Sequence, residues 1–220
     1  VTAPDRAAFI RANTWLKPVP HAPEILLHVA DEAVPLWTKT EEELERAGLP
    51  PPFWAFAWAG GQALARYLLD HPETVRAKRV LDVGAGSGLV AIAAMKAGAA
   101  SAMAADLDPF ALAAIALNAA ANGVAVSVSG EDPIGAAPGD FDLVLVGDLA
   151  YERDVAERLF AWLKTLAAAG TPALIGDPGR TYLPRADLVP LAEYAVPVTR
   201  DLEDSEIKKT SVWRLAATGG

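Results

Sequence analysis

Cysteine is absent from this chain of 220 residues, which removes disulfides, thiolate nucleophiles and cysteine–zinc sites at once. Histidine is scarce. His21, His28 and His71 are the whole complement, spaced too widely to read as a ligand set, so no metal site is expected. A basic stripe is missing as well. Asp and Glu number 28 against 19 Lys and Arg, a net charge of −9, whereas nucleic-acid binding rests on clustered cations that neutralise phosphate. A nucleic-acid partner is therefore not expected; the acidic surface is compatible with a lysine-bearing protein substrate, although solubility accounts for most of such charges. Hydrophobic residues make up 52% of the chain. Yet charges and glycines break the alanine-rich stretches well short of the roughly 18–20 apolar residues of a membrane span, so no membrane association is expected. The first residues, VTAPDRAAFIRANTWL, lack a basic-then-apolar signal pattern, which leads to the expectation of a cytoplasmic protein.

What is present centres on V-L-D-V-G-A-G-S-G, Val80 to Gly88. Val80, Leu81 and Val83 read as a buried parallel strand, and Asp82, Gly84, Gly86 and Gly88 follow at every second position. The glycines form a turn whose backbone can lie against a ligand without Cβ interference. A dinucleotide fingerprint, G-x-G-x-x-G, seats a pyrophosphate on a helix N-terminus. Here the third glycine arrives one residue early and an acid stands two residues before the first. The variant suits a ligand with an ammonium, a carboxylate and a sulfonium, and it resembles motif I of the S-adenosylmethionine-dependent methyltransferases. As an isolated pattern it also fits another nucleotide binder, or a strand–turn–helix without a ligand.

Strands and helices alternate after residue 59. Strands are expected at 79–83, 101–105, 124–129, 141–146 and 173–175, and helices at 60–69, 89–96, 109–121 and 151–169. Asp108 and Pro109 form an N-cap and first-turn pair, and Asn122-Gly123 ends that helix. Residues 194–198 and 211–215 read as two strands around a charged turn. This alternation implies a parallel sheet with helices on both faces and an antiparallel pair closing one edge. The expected fold is α/β, the Rossmann-like seven-stranded methyltransferase sheet. A helical extension over 1–58 precedes the catalytic domain at 59–220, with Glu41 to Ala47 as one exposed helix.

Asp106 lies about 20 residues past the glycine loop, where open α/β sheets place an acid for ribose hydroxyls. Glu131 and Asp132 end the third strand, where an acid could accept from an adenine amino group; Asp132 is the better placed. Asp148 and Tyr151, in G-D-L-A-Y at the end of the fourth strand, border the crevice beyond the strands' carboxyl ends. The paired prolines of base-modifying methyltransferases are absent there, which argues against a nucleic-acid base as substrate.

Five segments then occur in order: F-W-A-F-A-W-A-G-G-Q-A-L (53–64), L-D-V-G-A-G-S-G, A-D-L-D-P-F-A (105–111), G-D-L-A-Y (147–151) and I-G-D-P-G-R (175–180). Together with the final T-S-V-W they resemble the lysine methyltransferases of the electron transfer flavoprotein β-subunit, in a bacterial-looking form without the mitochondrial presequence. The glycine loop and D-x-D-P are shared with the ribosomal protein L11 methyltransferase, while W-A-G-G-Q-A-L and G-D-P-G-R are narrower signals. Ala59 departs from the proline, and Ala150 from the bulkier aromatic, of the mitochondrial relatives. The resemblance implies S-adenosylmethionine as cofactor, covered by Trp58, Gly60 and Gly61 and held by Asp82, Gly84, Gly86, Gly88, Asp106, Asp132 and Asp148. It implies a lysine channel lined by Asp148 and Tyr151, and Arg180 meeting acidic substrate or ordering that channel. The flavoprotein β-subunit is the expected partner and the chain itself a monomer. The alternatives are methylation of a ribosomal or other translation protein, or a cofactor-binding regulator without turnover.

Overall fold

A computed structural model describes residues 5–30, 51–137, 139–198 and 206–216. Five short strands form its centre: β3 (Arg79–Val83), β4 (Ser101–Ala105), β5 (Ser127–Ser129), β6 (Leu143–Gly147) and β7 (Ala173–Asp177). They pair in parallel, and two longer strands, β8 (Leu188–Pro197) and β9 (Ile207–Leu215), complete a sheet of order β5-β4-β3-β6-β7-β9-β8. Side chains that alternate along a strand feed opposite faces. Val80 and Leu145 pack with α2 (Ala59–Asp70) and α3 (Leu89–Lys96), while Leu81, Val83, Val144 and Val146 pack with α5 (Arg153–Ala168). The near-continuous apolar runs of β3 and β6 follow from burial on both faces.

The chain steps outward from β3 through β4 to β5, then crosses back to lay β6 on the other side of β3. That reversal opens a crevice beyond the carboxyl ends of β3 and β6. The expected terminal pair closes one edge, with β9 antiparallel between β7 and β8 and Ile175 opposite Trp213. Both strands of the pair are longer than expected.

The N-terminal segment corrects the expectation of a helical extension, because more of its described residues lie in strands than in helices. After α1 (Arg6–Asn13) comes a hairpin, β1 (Trp15–Val19) and β2 (Ala22–Val29). Buried Ile25 and Leu27 stand two apart, the spacing of a half-buried strand, and Ala22 is buried at the turn. The hairpin is anchored to α4 (Pro109–Ala121) and its cap by asparagines. Asn118 Oδ1 accepts from His28 N at 2.8 Å, and Asn122 Oδ1 accepts from Leu26 N at 3.0 Å while its Nδ2 donates to Leu26 O at 2.6 Å. The helix expected at 41–47 lies outside the described residues. The third strand of the sheet is shorter than expected, because Val124 N donates to Ala119 O and belongs to the helix end.

Candidate active site

Two sets of groups meet at the crevice. The first grows from the turn after β3, where Gly84, Gly86 and Gly88 have φ of +63°, +52° and +79°. L side chains rarely take these values, so the loop needs glycine. A Cβ at Gly84 would strike Leu149, one at Gly88 would press on Ile115, and one at Gly86 would meet nothing closer than Trp54 Cα at 3.9 Å. Gly86 thus presents open backbone, where a ligand can approach.

Asp106 Oδ2 accepts from Gly86 N at 2.8 Å and its Oδ1 from Asp108 N at 2.9 Å. The acid after β4 is therefore tied directly to the glycine loop, with lone pairs left for vicinal hydroxyls. Asp108 caps α4 through Phe110 N, as the sequence implies. Asp82 is buried, and its Oδ2 accepts from Ala91 N in the first turn of α3 at 3.0 Å. Burial pushes its carboxyl up to about 7, and the Asp106 charge adds to the rise. Asp82 thus braces the strand against the helix behind the loop. Asp132 turns toward α5: its two oxygens accept from Ile134 N at 2.9 Å and Arg158 Nη2 at 2.8 Å.

The second set stands at the ends of β6 and β7. Asp148 is 7% exposed and has φ +61°, a left-handed conformation that is uncommon for any residue but glycine. Three contacts hold it there. Its N–H donates to Gly176 O at 2.9 Å, Oδ2 accepts from Gly60 N at 2.7 Å, and Oδ1 accepts from Arg180 Nε at 2.6 Å. The close approach of Gly60 to Gly176 demands glycine at both positions, because a Cβ on Gly60 would overlap Gly176 O and one on Gly176 would overlap Gly60 O. Gly61 packs inward, where a Cβ on Gly147 would lie 3.1 Å from its Cα.

Aromatic rings wall this end. Phe53 lies 5.7 Å from both Tyr151 and Trp58, and Phe56 lies 6.0 Å from Trp58. Arg180 Cζ sits 6.0 Å over the Trp58 ring, and Trp58 Nε1 donates to Phe53 O at 2.9 Å. Trp54 stacks on Phe110 behind this wall, in a buried cluster with Ile10 and Phe56 against which Trp58 also packs. Burial, then the charges of Glu152, Asp106 and Asp148, raise the Tyr151 phenol above its usual value.

Sequence reasoning assigned Asp177 no part. It follows Gly176 as Asp148 follows Gly147, and those glycines are register partners in β6 and β7. A repeated Gly-Asp at neighbouring strand ends was the signal available. Leu107, 66% exposed beside Asp106, and the ring of Phe53 were also passed over.

The strand order, with β9 inserted antiparallel next to an edge, and the glycine loop at the switch point define an S-adenosylmethionine-dependent methyltransferase. The family model for ribosomal protein L11 methyltransferase matches residues 63–159. The electron transfer flavoprotein beta subunit lysine methyltransferase of Rattus norvegicus is 40% identical over 200 residues, 87% of this chain and 76% of that one. The chain belongs to that family of electron transfer flavoprotein β-subunit lysine methyltransferases. The ribosomal protein L11 methyltransferase of Geobacter sulfurreducens is 44% identical but over only 92 residues, 41% of this chain and 30% of its own. A provisionally assigned methyltransferase solved with SAH shares the fold, with a TM-score of 0.53, 12% identity, and coverage of 72% of this chain and 50% of that one.

Proposed function

We propose that the chain methylates lysine side chains of the electron transfer flavoprotein β-subunit, with S-adenosylmethionine as methyl donor. The observation that carries the reading is Asp148, held in a strained conformation between Gly60 N–H and Arg180 Nε beside an aromatic wall and next to the glycine loop. The stretch matched by the L11 family model ends at residue 159, before β7 and Arg180, whereas the likeness to the flavoprotein enzymes extends over 87% of the chain.

The residues present fit the cofactor. Gly86 offers open backbone, Asp106 offers carboxylate oxygens for ribose hydroxyls, and Trp58 and Gly60 close the N-terminal side; Asp132 reaches an adenine amino group only by sharing its oxygens with Ile134 N and Arg158. When bound, the group supplies an electrophilic methyl on a sulfonium. The protein must hold an amine nitrogen in line with that methyl and in its neutral form. Free lysine titrates near 10.4, so the channel has to favour loss of the proton. Phe53, Trp58 and Tyr151 exclude water from the lysine stem, which disfavours the charged amine. Both Asp148 oxygens already accept hydrogen bonds, so Asp148 orients the nitrogen through a remaining lone pair. Arg180 orders the channel by offsetting the Asp148 charge.

Purified protein incubated with methyl-labelled cofactor, isolated flavoprotein β-subunit, ribosomal protein L11 and total RNA tests the reading. Label on flavoprotein lysines is expected. Labelled RNA, or modified ribosomal protein beside unmodified flavoprotein, overturns it.

A further inference from the structure

Methyl transfer as described leaves Asp177 without a part, although this acid is 1% exposed at the end of β7. Its Oδ2 is buried and accepts from no group among the described residues. Burial pushes its carboxyl up to about 6, opposed by the Arg180 N–H and reinforced by the Asp148 charge. A turn acid that merely caps its own loop could do so from the surface, with both oxygens hydrated.

The other oxygen shows what burial secures. Oδ1 accepts from Gly179 N at 2.6 Å and from Arg180 N at 2.7 Å, wrapping the chain into a tight turn with Gly179 at φ +93°. Tyr182 N donates to Ala150 O, tying the far side of the loop to the segment after β6. Arg180 is thereby strung between two acids, its backbone N–H on Asp177 and its Nε on Asp148 at 2.6 Å.

We propose that Asp177 is a positioning residue for methyl transfer: its Oδ1 holds the turn that keeps the Arg180 guanidinium on Asp148, and the neutralised Asp148 lets a lysine amine beside it shed its proton. The second half rests on the lysine reading above. An unpaired carboxylate holds a neighbouring amine in its charged form, and a guanidinium favours the neutral one. Glu152 and Asp106 also act on the neighbouring Tyr151 phenol, and Arg180 is the cation that offsets part of this acidic surrounding. The ammonium proton leaves to solvent water. The nitrogen lone pair then forms the new N–CH3 bond as the S–CH3 bond breaks.

Hydrogen exchange of Arg180 Nε–H, followed by NMR on the free protein, reads the positioning without any turnover. Asp177→Ala should speed exchange about tenfold or more, since breaking two hydrogen bonds frees the turn. Asp177→Asn, which keeps a side-chain oxygen for both N–H groups, should restore most of the protection. The pH profile of kcat at saturating lysine substrate, which reports ionisations in the bound complex, reads the consequence. Both Asp177→Ala and Arg180→Gln should move its rise to higher pH by about one unit, the scale of a lost charge partner, with S-adenosylhomocysteine affinity unchanged. Unaltered Nε exchange in Asp177→Ala, or a wild-type pH profile in Arg180→Gln, overturns the proposal. If Asp177→Ala does not fold, faster Nε exchange in folded Asp177→Asn overturns the Oδ1 role. Exchange that behaves as expected, in a wild-type protein that methylates no lysine, overturns the lysine reading and the second half with it.

Discussion

At the ends of β3 and β4 the ligand-facing groups are mostly backbone: three glycines in the left-handed region, with one carboxylate, Asp106, fastened to the loop by Gly86 N–H. At the ends of β6 and β7 they are side chains: Asp148, Arg180 and the rings of Phe53, Trp58 and Tyr151. The first end depends on the absence of atoms, the second on charges kept together against their tendency to hydrate. An added side chain should therefore damage the first end, and a removed one the second.

The largest effect is expected at the glycine loop. Gly86→Arg puts a long side chain into open space at a φ that costs an L residue about 1–3 kcal/mol. The protein should fold with reduced stability yet lose more than about a hundredfold in S-adenosylhomocysteine affinity, roughly 2.7 kcal/mol. Calorimetry checks this, and unchanged affinity in a folded variant would break the contrast between the two ends.

Asp148→Ala removes the acceptor shared by Gly60 N–H and Arg180. Turnover should fall by about a hundredfold, while S-adenosylhomocysteine affinity stays within about threefold. Equal losses in both quantities would show that the two ends form one site with no division of labour.

Asp82 sharpens the comparison through pH. Its folded carboxyl lies near 7 against an ordinary 3.8, so the folded state holds a proton that the unfolded state releases. That contribution to stability is fully present below about 3.8 and is lost as pH rises through 7. Asp82→Asn cannot titrate and should flatten the fall in stability between pH 4 and 7, measured by urea unfolding. An identical pH dependence in the variant would remove Asp82 from the account.

The smallest effect is expected at Tyr151. Burial and three neighbouring carboxylates keep its phenol protonated, so it contributes a ring and not a base. Tyr151→Phe should change turnover by less than about tenfold, whereas loss of a general base costs on the order of 10² to 10⁴.

The same contrast explains what the sequence reveals. The cofactor end is written in one contiguous loop, because positive φ restricts the choice of residue and leaves glycines at a fixed spacing. The boundaries of β3, α3 and β4 and the Asp108 cap were legible for similar local reasons. The reacting end draws on residues 53–61, 147–151 and 176–180, which only the topology brings together. Asp148 and Tyr151 could be placed by their position after a strand. The Asp148–Arg180 pair and the turn held by Asp177 depend on register and packing that no local pattern encodes. The N-terminal hairpin was missed because Ala22, Ile25 and Leu27 are too few to separate a short strand from apolar anchors.

That hairpin changes what counts as the smallest self-sufficient unit. Asn118 takes the His28 N–H with its oxygen and gives its own amide hydrogen to Ser87 O at 2.8 Å, inside the glycine loop. One buried side chain thus splices the extension to the cofactor loop. Excision of everything before residue 59 would remove Ile25, Leu27 and Trp54 from their shared cores, at roughly 1.5–3 kcal/mol for each buried side chain. It would also leave Ser87 supported by an asparagine with no strand behind it. The extension braces the glycine loop, so a shortened catalytic half transplanted into another protein would need a substitute for β2 before it could hold a ligand.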